Sequence, residues 1–498
     1  MINRMVKMFQ WVIGSMFVGV FALSVIFCVF AAEQAITPRC ISINLQRVFS
    51  AKVSLIPVKG LKTIDPLYEI SDMKEGETIT IQIPPQYLPG EFILKIDYRV
   101  NESDYPYPVE RSIFVDKEDI QLSVNPFYGN SSDNIKFNSD EKENTVYYTF
   151  LKENDIKRGP IEVLKQFLLN YDCADSKLYA QAAKEFQDRK LAYNKWLKHQ
   201  EKSYNHLYVS RLFQFQYIPT VIWSGDLDEQ INQLLKNYFE GIDFKDGTII
   251  HFSQLTRLMD SYMRLYEIKV SDARPLKTLF VEAGRIACEK AAQGDPKVYG
   301  WMVDYFYRGY ETYHIDEGMV MLRQHIDNPN CLTSKKQQIN KRLQGLAKLV
   351  PGALSPNFLG KDDKGNDFQF HAWKGSAPYK LLLFWSVSCE SCRMLVTRLR
   401  EWDFEVLNKD KVDVIAINLD ETEIGGREWA EEIVNLSNWK HMRFSQGINS
   451  VIANDYAVLS TPEMFVIDSE SNIIVFVPED FEQLIKDLNE VIFAKKIE

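Results

Sequence analysis

Two cysteines, Cys389 and Cys392, close an apolar run, and that placement limits what this chain can fold into more than any other feature. The run is Leu381-Leu382-Leu383-Phe384-Trp385, and its length between turn signals reads as a buried strand. The segment from Arg393 to Leu407 then has the spacing of an amphipathic helix, so Cys389-Glu390-Ser391-Cys392 falls at a strand-to-helix turn. Two cysteines three positions apart can close a small disulfide ring there. The first can also sit on the helix N-terminus, where unpaired amides and the macrodipole favour a thiolate. The thiolate is the form that attacks disulfides. Farther on, Ser460-Thr461-Pro462 leads into the strand-like Glu463–Asp468.

At 498 residues the chain exceeds what one core supports, so several domains are expected. A formal charge of −10 and the lack of a long basic stretch argue against nucleic acid as a partner. Arg4 and Lys7 precede an apolar stretch from Trp11 to Ala32, the layout of an export signal. Val29-Phe30-Ala31 offers a small-residue cleavage pattern, while the stretch is also long enough to tether the chain to a bilayer if uncut. Phe27 before Cys28 speaks against a lipoprotein site. The expected location is periplasmic, with an inner-membrane anchor as the uncut alternative.

Seven cysteines are present. Zinc would need a second ligand pair, and no other CxxC or HxxxH occurs, so no metal and no cofactor beyond a redox-active Cys389–Cys392 disulfide is expected. Cys40, Cys173, Cys288 and Cys331 can form two structural disulfides in three connectivities, or stay buried as small apolar groups.

Four segments follow along the chain. Residues 1–32 are the signal or anchor. Residues 38–155 read as a β-sandwich, from alternating runs such as Ile41–Leu45, Thr78–Ile83 and Phe92–Tyr98 separated by Pro84-Pro85, Pro89-Gly90 and Asn125-Pro126. Residues 156–350 switch to a 3.6-residue period, with helices expected over Leu178–Tyr204, Leu227–Phe239, Leu255–Tyr266, Leu276–Ala292 and Tyr299–Tyr310, and with Asp226 and Ser253 as N-caps. The aromatic stretch from Trp301 to Tyr307 is either a helix–helix core or a surface that receives a partner. Residues 351–498 alternate strands and helices, with Val412–Asn418 completing a βαβ unit.

The C-terminal part resembles the TlpA/ResA-like branch of the thioredoxin superfamily. The resemblance rests on Pro351–Phe358, the Phe384-Trp385 pair, the CxxC and the Thr461-Pro462 step. The whole layout is similar to exported multidomain thioredoxin-like proteins of Bacteroidota. It implies a thioredoxin fold, with Cys389 as attacking nucleophile, Cys392 as resolving thiol, Pro462 as a cis-proline facing the pair, and the Thr461 backbone open to an extended substrate. Trp385 would support the pair from the strand end. Ser388, Ser391, Leu395 and Leu383 depart from residues common in the family: an aromatic, a proline and two carboxylates respectively. Glu390 is the nearest remaining acid to take a proton from the resolving thiol, and its charge should oppose a thiolate at Cys389.

The expected function is an exported thiol–disulfide oxidoreductase, a reductase or isomerase of protein cysteines. Its partners would be cysteine-containing exported proteins and, for a reductase, a membrane electron donor. The alternative is a binding or adaptor protein with a structural disulfide in a degenerate thioredoxin domain. A peroxidase would want proline where Leu382 stands, and a copper carrier would want three residues between its cysteines.

Overall fold

The computed structural model describes residues 38–494 except 62–64, 129–133, 224–225, 272–273, 314, 404–410 and 479. The signal or anchor expected over residues 1–32 lies outside the described residues. Among the described residues no helix is long and apolar enough to cross a membrane. The chain forms two compact units, one of residues up to Ile242 with His251–Leu258, the other of Asp243–Ile250 with Met259–Glu498.

The first unit begins with strands β1 (Arg39–Leu45), β2 (Ser50–Pro57), β3 (Tyr68–Met73), β4 (Thr78–Ile83), β5 (Gly90–Arg99), β6 (Tyr107–Val115), β7 (Ile120–Val124) and β8 (Ile135–Phe137). They make two four-stranded sheets, β4-β1-β7-β8 and β3-β2-β5-β6, which form the β-sandwich. The period-2 pattern does its expected work, since Ile41, Ile43 and Leu45 on one face of β1 are all fully buried.

The switch to helix comes earlier than residue 156. Helix α1 spans Glu143–Asn170, through Pro160. Its second turn reads as strand because Tyr147, Tyr148 and Phe150 favour strands, but all three are buried, and Tyr148 donates to the Ser112 carbonyl at 3.1 Å. Asn144 hooks the helix onto β6: its Nδ2 donates to the Phe114 carbonyl and its Oδ1 accepts the Phe114 amide, both at 2.8 Å. The Glu141 carboxylate takes the Asn144 and Thr145 amides that the helix start would leave unpaired. Tertiary contacts thus override local propensity here.

Helices α2 (Lys177–Ser203) and α3 (Leu227–Lys236) follow, the latter capped by Asp226, whose carboxylate accepts the Glu229 amide. Helix α4 covers Ser253–Glu267. Ser253 is its first residue rather than its cap: the buried Glu91 carboxylate accepts both the Ser253 amide and its hydroxyl at 2.8 Å.

The second unit contains α5 (Leu276–Ala291), α6 (Pro296–Thr312), α7 (Asp316–Ile326) and α8 (Lys336–Lys348). Trp301, Met302, Val303, Phe306, Tyr307 and Tyr310 are buried, so the aromatic stretch of α6 is core and not a partner surface. Next come the hairpin β9 (Leu359–Lys361) and β10 (Asp367–Gln369), and a five-stranded sheet, β13-β12-β11-β14-β15. Its strands are β11 (Tyr379–Trp385), β12 (Val412–Asn418), β13 (Lys440–Arg443), β14 (Glu463–Asp468) and β15 (Ile474–Phe476). Helices α9 (Glu390–Asp403), α10 (Glu423–Glu432), α11 (Val451–Asp455) and α12 (Phe481–Ala494) connect and close it.

Central β11 runs parallel to β12 and antiparallel to β14, and every one of its residues is buried. Each of its leucines stabilises the fold by about 1.5–3 kcal/mol through burial. That continuous burial on both faces is why the sequence shows a run rather than an alternation. The chain leaves β11 at its C-terminal end and turns directly into α9, which is the turn that holds the two cysteines.

Candidate active site

Cys389 stands where the helix begins. Its carbonyl accepts the Arg393 amide at 3.1 Å, the first bond of α9, so Cys389 is the N-cap residue. Its sulfur accepts the Cys392 amide at 3.3 Å, the bond an N-cap oxygen normally takes from the third helical residue. The Ser391 hydroxyl lies 3.1 Å from the same sulfur, and the Thr461 carbonyl 3.3 Å. The Thr461–Pro462 peptide is cis.

The two thiols are unlike. Partial burial pushes the Cys389 thiol up, but hydrogen bonds from the Cys392 thiol, the Ser391 hydroxyl, the Cys392 amide and the Thr461 side chain outweigh it and leave it below the ordinary thiol range. Cys392 is fully buried beside Trp385, Val387 and Leu395. Burial, reinforced by its hydrogen bond to Cys389, pushes its thiol up to about 12. A partly exposed thiol that ionises more readily than usual, beside a buried thiol that ionises less readily, is an arrangement suited to nucleophilic attack followed by resolution.

The structure thus brings Cys389, Cys392 and Thr461 together, with Pro462 next in the chain. Trp385 is fully buried in the core that also contains Cys392. Glu390 is the first residue of α9 and lies exposed, while the thiol it was expected to serve is fully buried. The hydrogen bonds on Cys389 favour the thiolate whatever Glu390 contributes against it. Ser391, a departure from the family pattern, adds one of those bonds.

One acid escaped the sequence reading. Asp420, two residues past the end of β12, is only 6 % exposed. Its carboxylate accepts the Ser386 hydroxyl at 2.5 Å, the Val387 amide at 2.8 Å and the Ser388 hydroxyl at 3.3 Å. Burial opposes its charge, but these bonds and one from Asn418 hold its carboxyl below the usual range. It therefore braces the loop between β11 and Cys389 as an anion. The available signal was topological: the C-terminal ends of neighbouring parallel strands converge on the site of an open α/β sheet.

Cys40, Cys173, Cys288 and Cys331 all carry free thiols, and Cys288 is fully buried. Among the described residues no group of three or more His, Cys, Asp or Glu is arranged to hold a metal ion.

Residues 378–473 match a thioredoxin-like family. The C-terminal part of this chain is a thioredoxin-like domain. Comparison with curated proteins gives no match. Among solved structures, the chain is similar to the thioredoxin domain of a thiol-disulfide oxidoreductase from Bacteroides vulgatus, at 22% identity over 28% of this chain and 97% of that one, TM-score 0.25. A thiol-disulfide oxidoreductase from Bacteroides fragilis matches at 21% identity over 28% and 98%, TM-score 0.25. A thioredoxin-like protein from Bacteroides caccae matches at 16% identity over 53% and 92%, TM-score 0.33.

Proposed function

We propose that the chain is a thiol–disulfide oxidoreductase that works on protein cysteines through Cys389 and Cys392. The observation that carries this reading is the unequal pair: a Cys389 thiol lowered by four hydrogen bonds beside a buried Cys392 raised to about 12. The Cys389 thiolate attacks a substrate disulfide, forming a mixed disulfide and releasing one substrate sulfur as a thiolate. The Cys392 sulfur then attacks Cys389, and the second substrate sulfur departs as its thiol, carrying the Cys392 proton. Substrate is reduced by two electrons and the pair is oxidised to a disulfide.

A stabilised thiolate stabilises the reduced pair and raises its potential. That favours an isomerase over a strong reductase, with cysteine-containing exported proteins as substrates. The apolar stretch of residues 11–32 supports export to the periplasm, cleaved or anchored. A reductase working there would need electrons from a membrane donor, because the compartment is oxidising.

Leu383 and Leu395, both buried and apolar, favour a second reading. With no carboxylate at those positions to take the Cys392 proton, the disulfide could serve only to hold the domain of an adaptor protein. Redox titration of the folded chain against glutathione, read by thiol alkylation and mass, separates the two. A reversible couple between about −270 and −120 mV supports the oxidoreductase. A pair that is reduced only on unfolding rejects it.

A further inference from the structure

The helical part of the second unit grips the loop that carries Thr461. The Ser460 hydroxyl donates to Glu311 at 3.1 Å, near the C-terminal end of α6. On α8, Lys341 Nζ donates to the Val458 carbonyl at 2.8 Å. The next residue, Arg342, bonds the Glu463 carboxylate at 3.4 Å and Asp316 at 3.1 Å. Side-chain exposures of 12 % for Arg342 and 7 % for Glu463 make this a buried ion pair. One turn farther, Gly345 lets α8 approach so closely that an added Cβ would stand 2.3 Å from the Ala457 side chain.

The Arg342–Glu463 pair borders a cavity of about 320 Å³, also lined by Leu346 and Pro462. Buried Val458 anchors the start of the loop in the core, and these polar contacts hold the part that follows, through Ser460 to Glu463.

Glu463 opens β14, two residues after the Thr461 carbonyl that faces the Cys389 sulfur. We propose that Arg342 is a positioning residue for the thiol pair: by holding Glu463 from α8 it keeps Thr461 against Cys389. The proposal rests on the oxidoreductase reading for its functional meaning. The Cys389 thiol donates to the Thr461 carbonyl, which holds the proton on sulfur, while the Thr461 side chain favours ionisation, so a displaced loop shifts the thiol.

The test is the pH profile of Cys389 alkylation in the reduced full-length chain, read by mass. Arg342→Met should shift the midpoint by about half to one pH unit, a threefold to tenfold change of rate at pH 7. Arg342→Lys should restore the rate to within about twofold. Should the buried Glu463 charge left by Arg342→Met prevent folding, Arg342→Met with Glu463→Gln removes both charges and should show the same shift. An unchanged midpoint in a folded variant, even one with lowered thermal stability, overturns the proposal. The readout needs no turnover: an inactive wild type whose midpoint still shifts would reject the oxidoreductase reading and keep the clamp. An active wild type with an unmoved midpoint would reject the clamp alone.

Discussion

The Asp420 carboxylate accepts the Val387 amide at 2.8 Å, tying the end of β12 to the loop that delivers Cys389. The same carboxylate serves the hydroxyls of Ser386 and Ser388. Asp420→Ala leaves those donors without their acceptor and should lower stability at pH 7 by about 2–3 kcal/mol in urea denaturation. Because the folded state depresses this carboxyl, its contribution is complete above the unfolded value of about 3.9 and is lost as pH falls through the folded value. The gap between wild type and variant should therefore shrink below about pH 4.

The unequal thiols set a second expectation. At pH 7 iodoacetamide should modify Cys389 in the reduced chain with a midpoint below the free-thiol value of about 8.5, while Cys392 stays unmodified. Equal labelling of the two sulfurs would contradict the geometry.

Replacing each cysteine tests the order of events. Cys392→Ser should accumulate a mixed disulfide with a scrambled protein substrate on non-reducing gels, and Cys389→Ser should accumulate none. Dithiol turnover should fall to background in both.

Lys380 offers a test remote from the cysteines. Its fully buried ammonium is held by Asn472 Oδ1 at 2.9 Å and lies 4.8 Å above the Phe370 ring. Desolvation, with Lys374 nearby, lowers it to about 8. A lysine depressed on folding weakens the native state while charged, so stability should rise between about pH 8 and the unfolded value of about 10.4. Lys380→Met should lack that rise, which urea midpoints at pH 7.5 and 10 would reveal.

Asn144 is a test of the first unit. Asn144→Ala strands the amide and carbonyl of buried Phe114 and should cost about 2 kcal/mol or more in chemical denaturation.

Much of this was legible because the signals were local. The run from Leu381 to Trp385 reads as a buried strand from its length between turn signals, and that places the CxxC after it at a strand-to-helix turn. The cap at Asp226 was equally local. What escaped depended on partners far along the chain. Ser253 looked like a cap, yet Glu91, far earlier in the chain, takes its amide. The aromatic start of α1 reads as strand until Asn144 is seen holding Phe114. Asp420 carries no motif, and its role exists only because β12 ends beside β11.

Cys389 caps α9 with its sulfur. An anionic sulfur is a better acceptor for the Cys392 amide, and a better neighbour for the helix dipole, than a disulfide sulfur. Oxidation of the pair therefore strips a helix cap and reduction restores it, so the firmness of the first turn of α9 should alternate with oxidation state. The same coupling runs backwards: whatever strengthens that cap in the reduced form raises the potential of the pair, by about 30 mV for every 1.4 kcal/mol. The start of this helix works as a dial on electron affinity, turned by an amide hydrogen bond.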